Sequence, residues 1–86
     1  MYYVYLLKSK KNGRVYTGYT EDLKQRVADH NIGKSPYTKR NRPFVLAYYE
    51  AYFSKEDAQK RERGLKLRAK ASAQLRNRIK TSLHES

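Results

Sequence analysis

Two tyrosine-rich runs joined through an Asn-Gly pair constrain this chain more than any other feature. Residues 2 to 7, "YYVYLL", are dense in β-branched and aromatic side chains and read as a strand. Alternation puts Tyr3, Tyr5 and Leu7 on one face and Tyr2, Val4 and Leu6 on the other, so both faces are expected to be covered. "KSKKNG" follows, and its Asn12-Gly13 pair signals a hairpin because both residues tolerate the positive φ of a tight turn. The strand pattern resumes over residues 14 to 19, with Tyr16 and Gly18 on one face and Val15, Thr17 and Tyr19 on the other. A hairpin that is apolar on both faces needs packing partners above and below it.

The rest of the chain supplies them. Thr20, followed by Glu21 and Asp22, reads as an N-cap with acidic first-turn residues, opening a helix that runs to about Asn31 and stops at Gly33. Leu23 and Val27 form its apolar stripe, and Arg26 and His30 lie one turn apart on an adjoining face. Periodicity then vanishes over "GKSPYTKRNRP", a loop carrying Lys34, Lys39, Arg40 and Arg42. "FVLAYYEAYF", residues 44 to 53, is a third strand-like run. Ser54 with Asp57 resembles a capping box and opens a helix over about 55 to 68. Within it Glu62 stands four after Ala58 and three before Leu65, on the face that should look inward. A carboxylate there is costly unless it is paired or holds a cation. Leu75, Ile79 and Leu83 predict a last helix near 72 to 83, with Arg76, Arg78 and Lys80 outside.

The order β-β-α-β-α-α predicts an α+β domain, a small, mostly antiparallel sheet packed by helices. At 86 residues there is room for one domain, residues 1 to 86, with its core over about 2 to 70 and a basic C-terminal helix over about 72 to 83.

Charge narrows the function. Twenty Lys and Arg face eight Asp and Glu, a formal net charge of +12. Self-repulsion of that size is usually offset by a polyanionic partner, and nucleic acid leads because tyrosines stack on bases. An anionic membrane surface would call for Trp, Phe and Leu opposite a basic helix face; the chain has no Trp and two Phe. With no cysteine and two histidines, any metal must be held mainly by oxygen. The N-terminus lacks a basic leader and a cleavage site, so a cytoplasmic location is expected.

Tyr5 and Tyr16 lie on neighbouring strands, Arg26 and His30 share a helix face, and Glu62 looks inward from a later helix. Taken singly, each has a plainer explanation: half-buried packing for the tyrosines, a surface pair for Arg26 and His30, an ion pair to Arg26 or Lys66 for Glu62. As a set they are the parts that phosphodiester hydrolysis requires: a carboxylate for a divalent metal, an arginine for phosphate, and phenol or imidazole groups that move protons.

"YVY" at 3 to 5 and "YTG" at 16 to 18 resemble the two halves of the GIY-YIG nuclease signature, followed in register by Arg26, His30 and the "RE" of residues 61 and 62. The resemblance runs from residue 2 to about 70 and is closest to small stand-alone bacterial members. It implies a three-stranded antiparallel sheet flanked by helices, and metal-dependent endonuclease cleavage of DNA with one Mg²⁺ or Mn²⁺ ion. By position, Tyr5 and Tyr16 would be the signature tyrosines, Gly18 the signature glycine, Arg26 the electrophilic helper, His30 a proton-handling or orienting group, and Glu62 the metal ligand. Lys34, Lys39, Arg40, Arg42 and Lys66 are expected to hold the DNA backbone. Tyr3 replaces the first signature glycine, and Val4 and Thr17 the isoleucines. The family's late asparagine has one candidate, Asn77. Because other members recognise sequence through an attached domain, the resemblance implies structure-directed cleavage in DNA repair or processing, or a protein partner that supplies specificity. The alternative is a non-cleaving nucleic-acid-binding module of the same fold. An interaction protein recruited through its basic helices is a third reading.

Overall fold

A computed structural model describes residues 1–36 and 38–86; Tyr37, within the basic loop, lies outside the described residues. Tyr2–Ser9 forms β1 and Val15–Thr20 forms β2, paired antiparallel with Tyr5 opposite Gly18 and Leu7 opposite Tyr16. The two strands form the expected hairpin, but Gly13, at φ +76, takes positive φ while Asn12 does not. The loop spans residues 10–14, wider than a two-residue turn, because Ser9 Oγ accepts from the Lys11 and Asn12 amides and Asn12 Oδ1 accepts from the Arg14 amide. Those side-chain bonds satisfy backbone groups that a tighter turn would pair directly.

Phe44–Tyr52 forms β3 and pairs with the other side of β1, giving a three-stranded antiparallel sheet in the order β2-β1-β3. Being central, β1 is covered on both faces: Val4 and Leu6 enter one apolar cluster, Tyr5 and Leu7 another. Leu23–Asn31, α1, covers the Tyr5 face through Leu23 and Val27. Lys55–Leu67 (α2) packs on the opposite face, where Ala58 and Leu65 meet Val4, Leu6, Leu75 and Ile79. Each fully buried leucine there contributes on the order of 1.5–3 kcal/mol.

Three expectations are corrected. Asp22, not Thr20, caps α1: its side chain accepts from the Gln25 amide, and the first turn holds no acidic residue. Thr20 is the last residue of β2, and its hydroxyl accepts from the Asp22 amide, which moves the start of the helix on by two residues. The basic loop contains a 3-10 turn, Lys39–Asn41, anchored by Ser9 Oγ donating to the Asn41 carbonyl. The last helix is two helices, α3 (Ala69–Arg78) and α4 (Lys80–Glu85), so the order is β-β-α-β-α-α-α. At the break Ile79 leaves helical geometry, with φ −109 and ψ 25, and its side chain turns into the core. The Ile79 amide still reaches the Leu75 carbonyl and the Leu83 amide reaches that of Ile79, so the stripe of Leu75, Ile79 and Leu83 survives the bend. Lys8 Nζ holds α4 in its new direction by donating to the carbonyls of Leu83 and Ser86. Leu75 and Ile79 belong to the same cluster as Val4 and Leu6, so the core extends past residue 70.

Two polar clamps fix what these elements carry. Glu50 of β3 accepts two bonds from Arg61 of α2, at 2.9 and 3.0 Å, and one each from the Tyr48 and Tyr52 hydroxyls. Every oxygen of that half-buried carboxylate is thereby satisfied, and α2 is pinned one residue before Glu62. At the end of α1, Asn31 Nδ2 donates to the Phe44 carbonyl while its Oδ1 accepts from the Phe44 amide, which sets the position of the neighbouring His30. Among the described residues, no helix is long and apolar enough to cross a membrane.

Candidate active site

A cleft of about 500 Å³ follows the free edge of β2, where α1 on one face of the sheet and α2 on the other both reach it. Residues from both faces of β2 line it, among them Tyr16 and Gly18 from one and Thr17 and Tyr19 from the other. Tyr5, Arg26, His30, Glu62 and Lys66 complete the lining that matters for chemistry. Residues far apart in sequence thus share one cavity.

Tyr5 enters the cleft by crossing β2 above Gly18. A Cβ on that glycine would lie 2.2 Å from the phenol oxygen and 2.3 Å from Cζ, so a strand position opposite a large ring has to be glycine. The Tyr5 oxygen lies 3.3 Å from His30 Nε2, and His30 Nδ1 lies 2.7 Å from Thr38 Oγ1, all three residues being buried. Burial pushes the Tyr5 phenol above its ordinary 10.0, while the Arg26 guanidinium pulls it down and the Glu62 carboxylate pushes it up. Burial and then Arg26 hold His30 below 6.5, against a smaller opposite pull from Asp29, so the imidazole is neutral near pH 7. Tyr16 packs edge-on against Phe44, and its oxygen accepts a bond from Asn41 Nδ2.

Glu62 points into the cleft with its side chain 21% exposed and pairs with Lys66 at 3.0 Å, the partner expected as one option from the sequence. Among the described residues no group of three His, Cys, Asp or Glu surrounds a point that a metal could take, and Glu62 is the one carboxylate lining this cleft. A lone carboxylate beside phenol oxygens suits Mg²⁺ or Mn²⁺, which keep waters and take substrate oxygens for most of their ligands.

Lys34 lines a neighbouring hollow of about 310 Å³ that shares Arg26 and His30 with the main cleft, and it faces Asp29 at 3.8 Å. Lys39, Arg40 and Arg42 are exposed on the loop and line neither cavity; the Arg42 guanidinium lies against Gly33 at the end of α1. Asn77 is exposed on α3 and also lies outside the cleft. Tyr2 stacks on Tyr19, which also lines the cleft, and Tyr3 meets Tyr49 edge-on. Thr38 and Asn41, which touch the two phenol systems directly or through His30, carried no sequence signal beyond lying in a polar loop.

Comparison with known proteins identifies the family. The family model described as the GIY-YIG catalytic domain matches residues 1–80. The chain is 48% identical over 66 residues to a UPF0213 protein of Staphylococcus haemolyticus, covering 76% of this chain and 79% of that protein. Over 74 residues it is 45% identical to a UPF0213 protein of Streptococcus pyogenes, covering 85% and 79%. The solution NMR structure of a UPF0213 protein from Bacillus halodurans superposes with a TM-score of 0.54 at 41% identity, covering 87% of this chain and 82% of that one. A signature pair of strands, a cleft built on it and a family match across nearly the whole length lead to one conclusion: the chain belongs to the GIY-YIG catalytic domain family.

Proposed function

We propose that this protein is a divalent-metal-dependent endonuclease that hydrolyses phosphodiester bonds of DNA, in a structure-directed way that serves DNA repair or processing. One observation carries the reading: Tyr5, Tyr16, Arg26, His30 and Glu62 line a single cleft. Membership of a catalytic-domain family supports it.

In this reading Tyr5 takes the proton of the attacking water. A phenol does so only as phenolate, which burial opposes and Arg26 favours. The new P–O bond forms as the bond to the leaving sugar oxygen breaks, and the Arg26 guanidinium offsets charge developing on the phosphate oxygens. Tyr16 orients the phosphate and His30 supports Tyr5. Glu62 would hold Mg²⁺ or Mn²⁺, which when bound polarises the phosphate and stabilises the leaving oxygen. Lys66, Lys34, Lys39, Arg40 and Arg42 would track the DNA backbone. Specificity would come from the DNA structure or from a protein partner, and the setting would be cytoplasmic.

A second reading, a nucleic-acid-binding module that does not cleave, has one observation on its side. Lys66 already neutralises Glu62 at 3.0 Å, and a carboxylate paired in that way competes less well for a cation. Cleavage of branched, nicked and single-stranded DNA with Mg²⁺, Mn²⁺ or EDTA separates the two. The nuclease reading expects metal-dependent cutting that Glu62→Ala abolishes while DNA binding persists; identical behaviour of wild type and Glu62→Ala on every substrate would leave only binding.

A further inference from the structure

We infer that Thr38 and Asn41, two residues of one turn, orient the hydrogen bonds of the cleft so that Tyr5 and Tyr16 both accept a bond from the protein and both turn their own proton towards the cavity. The polarity rests on geometry alone; its catalytic consequence rests on the nuclease reading.

The Tyr16 side is anchored at a group whose polarity is certain. The Arg14 amide N–H donates to Asn12 at 3.0 Å, so the Asn12 atom there is the oxygen Oδ1 and its other terminal atom is the NH₂ group. That NH₂ donates to Asn41 at 2.6 Å, which makes the contacted Asn41 atom Oδ1 and leaves its Nδ2 facing Tyr16. An amide N–H has only a donor to offer. Tyr16 Oη must accept it, and the single phenol hydrogen is left for another partner.

The Tyr5 side follows from the partners that Thr38 has. Thr38 is 3% exposed, and among the described residues its hydroxyl meets one partner, His30 Nδ1, at 2.7 Å. If Thr38 only accepted, its own hydrogen would have no protein partner among the described residues and only the cleft to face. Thr38 therefore donates, Nδ1 carries the lone pair, and the neutral ring keeps its hydrogen on Nε2. That N–H faces the Tyr5 oxygen at 3.3 Å. A donor on a phenol oxygen favours the phenolate, the form that proton abstraction from water requires.

The turn is held firmly enough to serve both. The Asn41 amide bonds the Thr38 carbonyl at 3.0 Å, the Thr38 amide bonds the Ser35 carbonyl at 3.2 Å, and Ser9 ties the Asn41 carbonyl to β1. Thr38 and Asn41 are thus positioning residues, acting through His30 on one phenol and directly on the other.

Nitrogen-15 NMR of the imidazole in the metal-free protein tests this without reference to cleavage. His30 should carry its hydrogen on Nε2 in wild type and in Thr38→Ser, and move largely to Nδ1 in Thr38→Val, which has no hydroxyl to donate. Wild-type His30 protonated on Nδ1 would overturn the inference, and so would a Thr38→Val ring unchanged from wild type. If Thr38→Val does not fold, wild type and Thr38→Ser still decide. Where cleavage is measurable, Thr38→Val and Asn41→Asp should each lower kcat by about ten- to a hundredfold and leave KM for DNA within about twofold, and Thr38→Ser should restore the kcat that Thr38→Val loses. A kcat unchanged despite a moved proton would remove the catalytic role. Absence of cleavage by every protein, with the hydrogen on Nε2, would instead defeat the nuclease reading and leave the positioning intact.

Discussion

The phenol oxygen of Tyr5 occupies the space that a side chain at Gly18 would need: an added Cβ would lie 2.2 Å from it. Tyr5 cannot yield cheaply, because its ring is buried against Leu7 and Phe44 and edge-on to His30. Gly18→Ala should therefore push the phenol off His30 rather than merely crowd the strand. We predict a loss of about 1–3 kcal/mol of stability, read by thermal or urea unfolding, and a fall of about a hundredfold in cleavage, because a displacement of about 1 Å is enough for that. A Gly18→Ala protein that retains full activity would show that Tyr5 need not sit where it does.

The clamp between Glu50 and Arg61 predicts how stability depends on pH. Burial alone would raise the Glu50 carboxyl, but bonds from Arg61, Tyr48 and Tyr52 outweigh it and hold it below 4.5. A folded value below the unfolded one gives stability that is fully present above about pH 4.5 and lost as pH falls through the folded value. On the alkaline side burial, then the bond to Glu50, pushes Tyr48 and Tyr52 up to about 12. Neutral phenols in the folded state lose their advantage as pH rises above about 10, where the unfolded chain ionises. Melting temperature should fall at both extremes, and Glu50→Gln should flatten the acid limb while costing about 1–2 kcal/mol at pH 7. An acid limb identical in wild type and Glu50→Gln would assign it elsewhere.

DNA binding should weaken linearly on a plot of log affinity against log salt concentration. Lys39 and Arg40 project from the 3-10 turn and do not line the cleft, so replacing both with Gln should reduce the slope by up to about 1.8 without altering metal dependence. An unchanged slope would show that the loop holds its turn in place and makes no phosphate contact.

Local patterning carried most of the architecture. Alternation separates Tyr5 from Val4 and Leu6, and Tyr16 from Val15 and Tyr19, and helical spacing turns Glu62 and Leu65 inward, because each rests on a period that neighbouring residues reveal. What stayed hidden were contacts between distant positions with no period to join them. Asn41 reaches back twenty-five residues to Tyr16, Thr38 meets His30 across a loop, and Glu50 meets Arg61 between a strand and a helix. The cap of α1 is ambiguous in the sequence because Thr20 and Asp22 both have capping side chains, and only the length of β2 decides between them. The bend at Ile79 was equally silent, since the apolar spacing of four continues through it.

Whether the cleft performs chemistry or only binds is decided by single-turnover cleavage with Mg²⁺, measured on preformed DNA complexes of wild type, Tyr5→Phe and Glu62→Gln. DNA affinities should agree within about threefold, while cleavage rates should be at least about a hundredfold lower in both variants. Equal cleavage rates in all three proteins would mean that neither the phenol nor the carboxylate takes part in the reaction.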